Sequence, residues 1–491
     1  MFVSSEAAPY VKTGGLGDVV GSLPAALKRL GHDVRVVIPR YYSIDRSTFD
    51  LLPGPLGVPV GFGEVWCGVF EGRLPGDVPI YFLDNEELYG RDGVYGDKTG
   101  KDFPDNAARF TVLSRGAFQL SKKLRWIPDV IHAHDWPTSL ATVYNNTWER
   151  TGDFSRTASM LTIHNLAHQG WFPKEQIVTV QLDWEHFHKS GFEFYDTINF
   201  LKAGIKNADI ITTVSPTYAL EIQTPKYGCM LEGQLRYRAD DLFGVLNGMD
   251  SDEWSPATDK HIAKTFDIKT MSGKAACKAA LQKEAGLPVD ASVPVIGIVS
   301  RLVDQKGFGD LCGPAHGSLY SILTDMAVQC VILGTGEKWC EDELRSLEAK
   351  LPNLKAFISF NNGLAHRIEA GSDFFLMPSK YEPCGLNQMY SLRYGTLPIV
   401  RRTGGLADTV ENFNEATGEG TGFMFDNLTP RAIYDTVGWA VSTWYNRPDA
   451  IKKMRKEAMA RRFDTDRSAK RYAQLYVWAI DRRLGFYPRV W

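Results

Sequence analysis

The nine residues Lys12 to Val20, KTGGLGDVV, constrain this chain more than any other stretch. Only a short apolar start precedes them. After them GSLPAALKRL, Gly21 to Leu30, is patterned as an amphipathic helix, which Gly31 ends before the apolar run Val34 to Ile38. Strand, glycine loop, helix, glycine and strand make a βαβ unit, and its loop falls at the carboxyl end of the first strand, where open α/β sheets bind ligands. Gly14 and Gly15 let backbone N–H groups approach an anion where a Cβ would obstruct it, and the helix points the positive end of its dipole at the same place. Lys12 adds a full charge. A tight strand-to-helix turn beside a surface lysine uses the same residues, so the glycine pair alone does not decide.

The grammar occurs twice. Arg402 to Val410 reads RTGGLADTV, with a basic residue, TGGL, an aspartate and a valine at the same internal spacing. Two such loops suggest two anion- or hydroxyl-directed surfaces, one from each half of the chain, sharing one ligand.

At 491 residues the chain exceeds what one core usually spans, so two or three domains are expected. A hydrophobic fraction of 44% with a mean hydropathy of -0.22 describes ample core material, and no apolar run approaches a membrane span. The formal net charge of -3 argues against a dedicated nucleic-acid binder and suits a neutral polymer. Seven scattered cysteines without CxxC spacing indicate neither a zinc site nor a disulfide framework, which points to a reducing compartment. The start at Met1-Phe2-Val3 is short for a first strand, so no targeting segment is inferred or excluded.

KTGGLGDV followed by Gly21, Leu23 and Pro24 resembles the N-terminal signature of the bacterial and plant starch and glycogen synthases. The resemblance extends over nearly the whole chain. It implies two facing Rossmann-like domains of the GT-B glycosyltransferase type: residues 1-243 on the acceptor side, 244-464 binding the nucleotide sugar, and a final helix in 465-491 returning to the first domain. The apolar stripe Ala469, Tyr472, Tyr476, Ala479 and Ile480 needs such a partner. Charged, then glycine-bearing, DDLFGVLNGMD marks the boundary, and VLNG, with Asn247, is where the family passes into its second domain.

Other strings carry chemistry in chain order. Tyr41 to Gly100, rich in Gly and Pro with β-like pieces at Val65 to Phe70 and Ile80 to Leu83, reads as a loop-bearing insertion. Within it Tyr95, followed by Asp105-Asn106 and Arg109-Phe110, matches a family pattern placing the tyrosine near donor glucose. Pro128 to Ile131 reads as a strand delivering HAHDW at its end. Its two histidines have no third metal ligand nearby, and the resemblance puts Asp135 by the acceptor hydroxyl, with Trp136 offering a flat face to sugar. Met160 to Ile163 ends in His164-Asn165, at a ligand-binding edge.

In the second half, the strand Pro294 to Val299 leads to Arg301 and Lys306 in SRLVDQKG, which matches the family's diphosphate clamp. Phe360 resembles, by position, the aromatic that covers adenine. Phe374 to Met377 ends in PSKYEPCGLNQ, where Glu382, held non-helical by Pro383, is presented at a strand end before a helix that begins near Gly385. EPCGL and the downstream RTGGL imply contacts from Cys384, Gly385, Leu386, Asn387, Gln388, Thr403, Gly404 and Gly405, and the first loop adds Gly14, Gly15 and Asp18. Asn387 stands where relatives commonly have Thr or Ile.

The implied reaction is transfer of glucose from ADP-glucose to an α-1,4-glucan with retention, using Lys12, Asp135, His164, Arg301, Lys306 and Glu382, with neither metal nor cofactor. The expected partners are ADP-glucose and a malto-oligosaccharide, glycogen or starch chain, with no nucleic acid or membrane. A nicotinamide oxidoreductase would need a GxGxxG and a ribose-binding acid about twenty residues on, and neither is present. A catalytically inactive glucan-binding scaffold is the remaining alternative. Starch-granule association is suggested by Gly17 and by Cys229 in KYGCMLEG, whereas FEFYDTINFLKAG looks like the bacterial glycogen branch. The expected location is cytoplasmic for a bacterial protein and the plastid stroma or granule for a plant one. In plant granule-bound relatives that cysteine has a disulfide partner in the C-terminal domain, but the matching stretch here, Gly422 to Arg431, contains no cysteine, so no such lock between the two domains is expected.

Overall fold

Apolar runs that punctuate the sequence become the strands of two largely parallel sheets. The computed structural model describes residues 1–314 and 317–486. Two units emerge: Met1–Gly248 together with the tail from Thr465, and Met249–Asp464. The change of unit thus falls a few residues beyond the 243/244 boundary read from the sequence, because Leu242–Gly244 is still a strand of the first unit.

In the first unit the strands are β1 (Phe2–Val3), β2 (Val36–Pro39), β3 (Asp50–Leu51), β4 (Leu56–Val60), β5 (Gly63–Leu74), β6 (Val78–Asp84), β7 (Val130–His134), β8 (Ala158–Ile163), β9 (Trp171–Pro173), β10 (Glu193–Phe194), β11 (Thr197–Asn199), β12 (Ile210–Thr213) and β13 (Leu242–Gly244). The main sheet runs β13-β12-β8-β7-β1-β2-β6-β5-β3, with β4 paired to β5, while β9, β10 and β11 form a small sheet of their own. Pairing is parallel from β13 to β6 and antiparallel beyond. The stretch 41–100 is therefore less an insertion than a continuation of the sheet, since β6 lies directly beside β2. Strand order reverses between β1 and β7, and the carboxyl ends of these two strands bound the crevice that such a switch point creates.

The final helix, Thr465–Leu484, packs against the helix Gly15–Arg29 and against β8, burying Ala469, Tyr472, Leu475 and Ala479. This is the return to the first domain that the apolar stripe required. Arg483 ties its end down by donating to the carbonyls of Asn145 and Ser155. Residues 487–491 of the expected C-terminal segment lie outside the described residues.

The second unit has β14 (Val295–Val299), β15 (Gln329–Leu333), β16 (Leu354–Phe357), β17 (Phe374–Met377), β18 (Leu397–Arg401) and β19 (Phe423–Phe425), all parallel, in the order β16-β15-β14-β17-β18-β19. This is the dinucleotide-fold order 3-2-1-4-5-6, reversing between β14 and β17. Its strands are near-continuous apolar runs because helices cover both faces. Ile296, Ile298, Ile332, Leu376 and Ile399 pack with Ile433, Val437 and Ala440 of the helix Pro430–Asn446. Trp254, just past the boundary, is sandwiched between His366 and Tyr390 at 3.8 Å on each side, which anchors the entering chain to this unit.

Candidate active site

In the first unit, β1 feeds a loop whose anchor the sequence reading missed. Glu6 is buried and accepts hydrogen bonds from both the backbone N–H and the hydroxyl of Thr13, and from the Tyr95 hydroxyl at 2.5 Å. Ser5 Oγ lies 2.8 Å from the same hydroxyl. An acid three residues past the first strand was the available signal. Through Glu6 the loop is fixed with Gly14 and Gly15 outward, since a Cβ built on either would meet nothing within 4 Å. The helix begins at Gly15, and Lys12 lies 2.6 Å from Asp18 in its first turn, half exposed and able to swing to a stronger anion.

At β7 the strand continues through His134, so His132 and His134 sit inside it, two residues apart and on one face. Their rings stack at 4.2 Å, and His134 Nδ1 lies 3.0 Å from His164 Nε2 at the end of β8. His132 is held between the Tyr476 hydroxyl and the Thr162 hydroxyl. Burial pushes all three histidines well below their usual range, His164 to about 3, so each is a neutral imidazole. Among the described residues no group of three or more His, Cys, Asp or Glu is gathered as metal ligands would be.

Asp135 follows directly, with φ of 56° in the left-handed region, which turns its carboxylate back onto the His164 N–H at 2.6 Å and the Asn165 N–H at 3.4 Å. Burial nevertheless pushes this carboxyl up to about 7, against the pull of those two donors. Asn165 caps its own turn by accepting from the Ala167 N–H. Trp136 corrects an expectation. Only 9% exposed, it is wedged against Phe110, Phe172 and Tyr95, with Gly170 so close that a Cβ there would enter its ring. It supports the site floor and offers no open face to a sugar. Asn247, near the end of this unit, is buried with its Oδ1 unpartnered among the described residues.

In the second unit the carboxyl ends of β14 and β17 come together. Lys306 Nζ contacts Glu382 Oε2 at 2.6 Å, and the Ser379 hydroxyl donates to the same oxygen at 2.9 Å. Gly307 makes this approach achievable: its φ is +81° and a Cβ would collide with the Pro378 carbonyl. Arg301 is exposed, with one long contact to Gln305 at 3.4 Å. The helix after Glu382 is Asn387–Arg393, slightly later than expected, preceded by Gly385 at φ +72° and by Leu386 as its N-cap. Asn387 donates to the Val299 carbonyl at the end of β14, and Gln388 to the carbonyls of Cys384 and Gly385. The Asn387 side chain thus ties two strand ends together.

Thr403, in extended backbone, occupies the position just before the helix Gly404–Thr409. A Cβ on Gly404 would run into the Glu382 carbonyl and one on Gly405 into the Cys384 carbonyl, while the Gly405 N–H donates to that Glu382 carbonyl. The second TGGL is packed against the Glu382–Cys384 backbone, whereas the glycines of the first open onto space. Phe360, three residues past β16, is 93% exposed.

Family comparison matches residues 1–237 to the starch synthase catalytic domain and residues 282–458 to glycosyl transferases group 1. A glycogen synthase of Treponema denticola is 52% identical over 98% of this chain and 99% of its own, and glycogen synthase 1 of Geobacter metallireducens is 48% identical over 99% and 97%. Among solved structures, the catalytic domain of starch synthase IV from Arabidopsis thaliana, bound to ADP and acarbose, superposes with a TM-score of 0.88 at 29% identity, covering 98% of this chain and 99% of that one. A sucrose-phosphate synthase from Thermosynechococcus elongatus shares the fold at a TM-score of 0.59, 15% identity and 97% coverage of both chains. The fold is that of the GT-B glycosyltransferases.

Proposed function

The chain belongs to the starch and glycogen synthase family of glucosyltransferases, and from that premise we propose that it transfers glucose from ADP-glucose to the 4-hydroxyl at the non-reducing end of an α-1,4-glucan, with retention at the anomeric carbon. The observation that carries this reading is the gathering of Arg301, Lys306 and Glu382 at the switch point of the second unit, where an open α/β sheet takes a nucleotide.

Each group has a role in this reading. When the bond from glucose C1 to the diphosphate breaks, negative charge grows on the leaving ADP, and Arg301, Lys306 and Lys12 with the amides around Gly14 and Gly15 stabilise it electrostatically. Phe360 covers the adenine. Glu382 and His164 hold the glucose, and Asp135 lies by the incoming hydroxyl. The bond from C1 to O4 forms on the face that ADP leaves, and the hydroxyl proton passes to a phosphate oxygen of ADP. This route uses neither a metal nor a cofactor.

The bacterial relatives favour glycogen as product and the cytoplasm as location; among the described residues no helix is long and apolar enough to cross a membrane. Incorporation of label from ADP-[14C]glucose into soluble glucan tests the reading, and a purified protein that incorporates none would overturn it. Recovery in washed starch granules versus supernatant tests granule association.

A further inference from the structure

We propose that His134 is a positioning residue that fixes the tautomer of His164, so that His164 presents an N–H from Nδ1 outward and keeps a bare Nε2 toward the protein. The inference rests on the reading above that His164 contacts the sugar.

Each ring in the pair is neutral and carries one proton, and a single hydrogen bond of 3.0 Å joins His134 Nδ1 to His164 Nε2. Two arrangements satisfy that bond. If His164 Nε2–H donates, His134 must carry its own proton on Nε2. That atom is sealed from solvent, has no partner among the described residues, and belongs to a ring packed against both Phe2 and His132. A donor would then be buried with nothing to receive it, and orphaned buried N–H groups are rare because they lose hydration without replacement.

If instead His134 Nδ1–H donates, only a bare imine nitrogen faces the apolar surroundings. The His164 proton is then forced to Nδ1, which has no bond among the described residues and is not sealed from solvent. His132 does not disturb this choice, since both its nitrogens meet hydroxyls that can donate or accept. The outcome is a pre-set donor at the carboxyl edge of β8, able to grip a sugar hydroxyl without prior tautomer exchange.

Neutron diffraction from crystals grown in heavy water reads the result directly. Deuterium is expected on Nδ1 of both His134 and His164; deuterium on His164 Nε2 would overturn the proposal. Kinetics give a second arm. His134→Leu frees His164 to take either tautomer and should lower kcat about tenfold, the scale of one lost hydrogen bond, with KM for ADP-glucose within about twofold. His134→Asn places an amide N–H where Nδ1 stood and should restore most of the rate. Equal loss in both variants at unchanged melting temperature would contradict the assignment. If the wild type transfers no glucose at all, the functional reading fails while the diffraction result still judges the tautomer.

Discussion

Lys306 and Glu382, 76 positions apart in the chain, form an ion pair of 2.6 Å in which the carboxylate is nearly buried and the ammonium partly exposed. Arg301, just past the end of β14 as Lys306 is, has among the described residues only its long side-chain contact to Gln305. The two cations should therefore respond differently to removal. Arg301→Ala should cost about 10²-fold or more in rate, the scale for one lost transition-state stabiliser, at little change in melting temperature. Lys306→Ala should lose comparable activity and also destabilise the second unit by about 3 kcal/mol, because it strands a shielded carboxylate. Adding Glu382→Gln to Lys306→Ala should recover stability without recovering activity. Near wild-type turnover in both single variants would make these ordinary surface charges.

The two TGGL loops predict opposite phenotypes. Gly14→Ala and Gly15→Ala add a methyl into open space, so folding should tolerate them while ADP-glucose turnover drops as the anion is held away. Gly404→Ala, with φ of +44° and the Glu382 carbonyl in its path, should destabilise by more than about 1 kcal/mol, and Gly405→Ala should do so through the Cys384 carbonyl. Thermal melts beside the assay separate the cases, and a stable Gly404→Ala protein would contradict the packing described.

Asp135 makes stability depend on pH. Its carboxyl titrates at about 7 in the folded protein against about 3.9 in an unfolded chain, so between those values the native state holds a proton that the unfolded state has shed. The contribution is fully present below about pH 4 and is lost as pH rises through 7. Asn tolerates the left-handed backbone here and its oxygen still accepts from the His164 N–H. Asp135→Asn should therefore melt a few degrees above wild type at pH 8, with the gap closing toward pH 5. A gap independent of pH would show that Asp135 titrates normally.

All seven cysteines are free thiols, and Cys312 and Cys340 approach only to 3.9 Å. Titration under non-reducing denaturation should count seven. A bridged Cys229 would overturn the absence of a disulfide lock expected from the empty Gly422 to Arg431 stretch.

Strand and helix positions in both units were legible from period and glycine punctuation because these are local properties, read within a window of a few residues. The strand runs Pro294 to Val299 and Phe374 to Met377 reappear nearly unchanged as β14 and β17. The charged and polar strings at strand ends were legible too, since a sheet delivers whatever follows its strands to one edge. Other properties depend on neighbours distant in sequence. Identical TGGL strings serve different ends because one lies over open space and the other against the Glu382–Cys384 backbone. Trp136 became floor instead of platform when Phe110 and Phe172 closed on it. Glu6 gained its role only when Thr13 and Tyr95 folded back to it, and His134 only when β8 paired beside β7. Burial, partner and tautomer are properties of what surrounds an atom, and residues far apart in the chain supply those surroundings only once the sheets have formed.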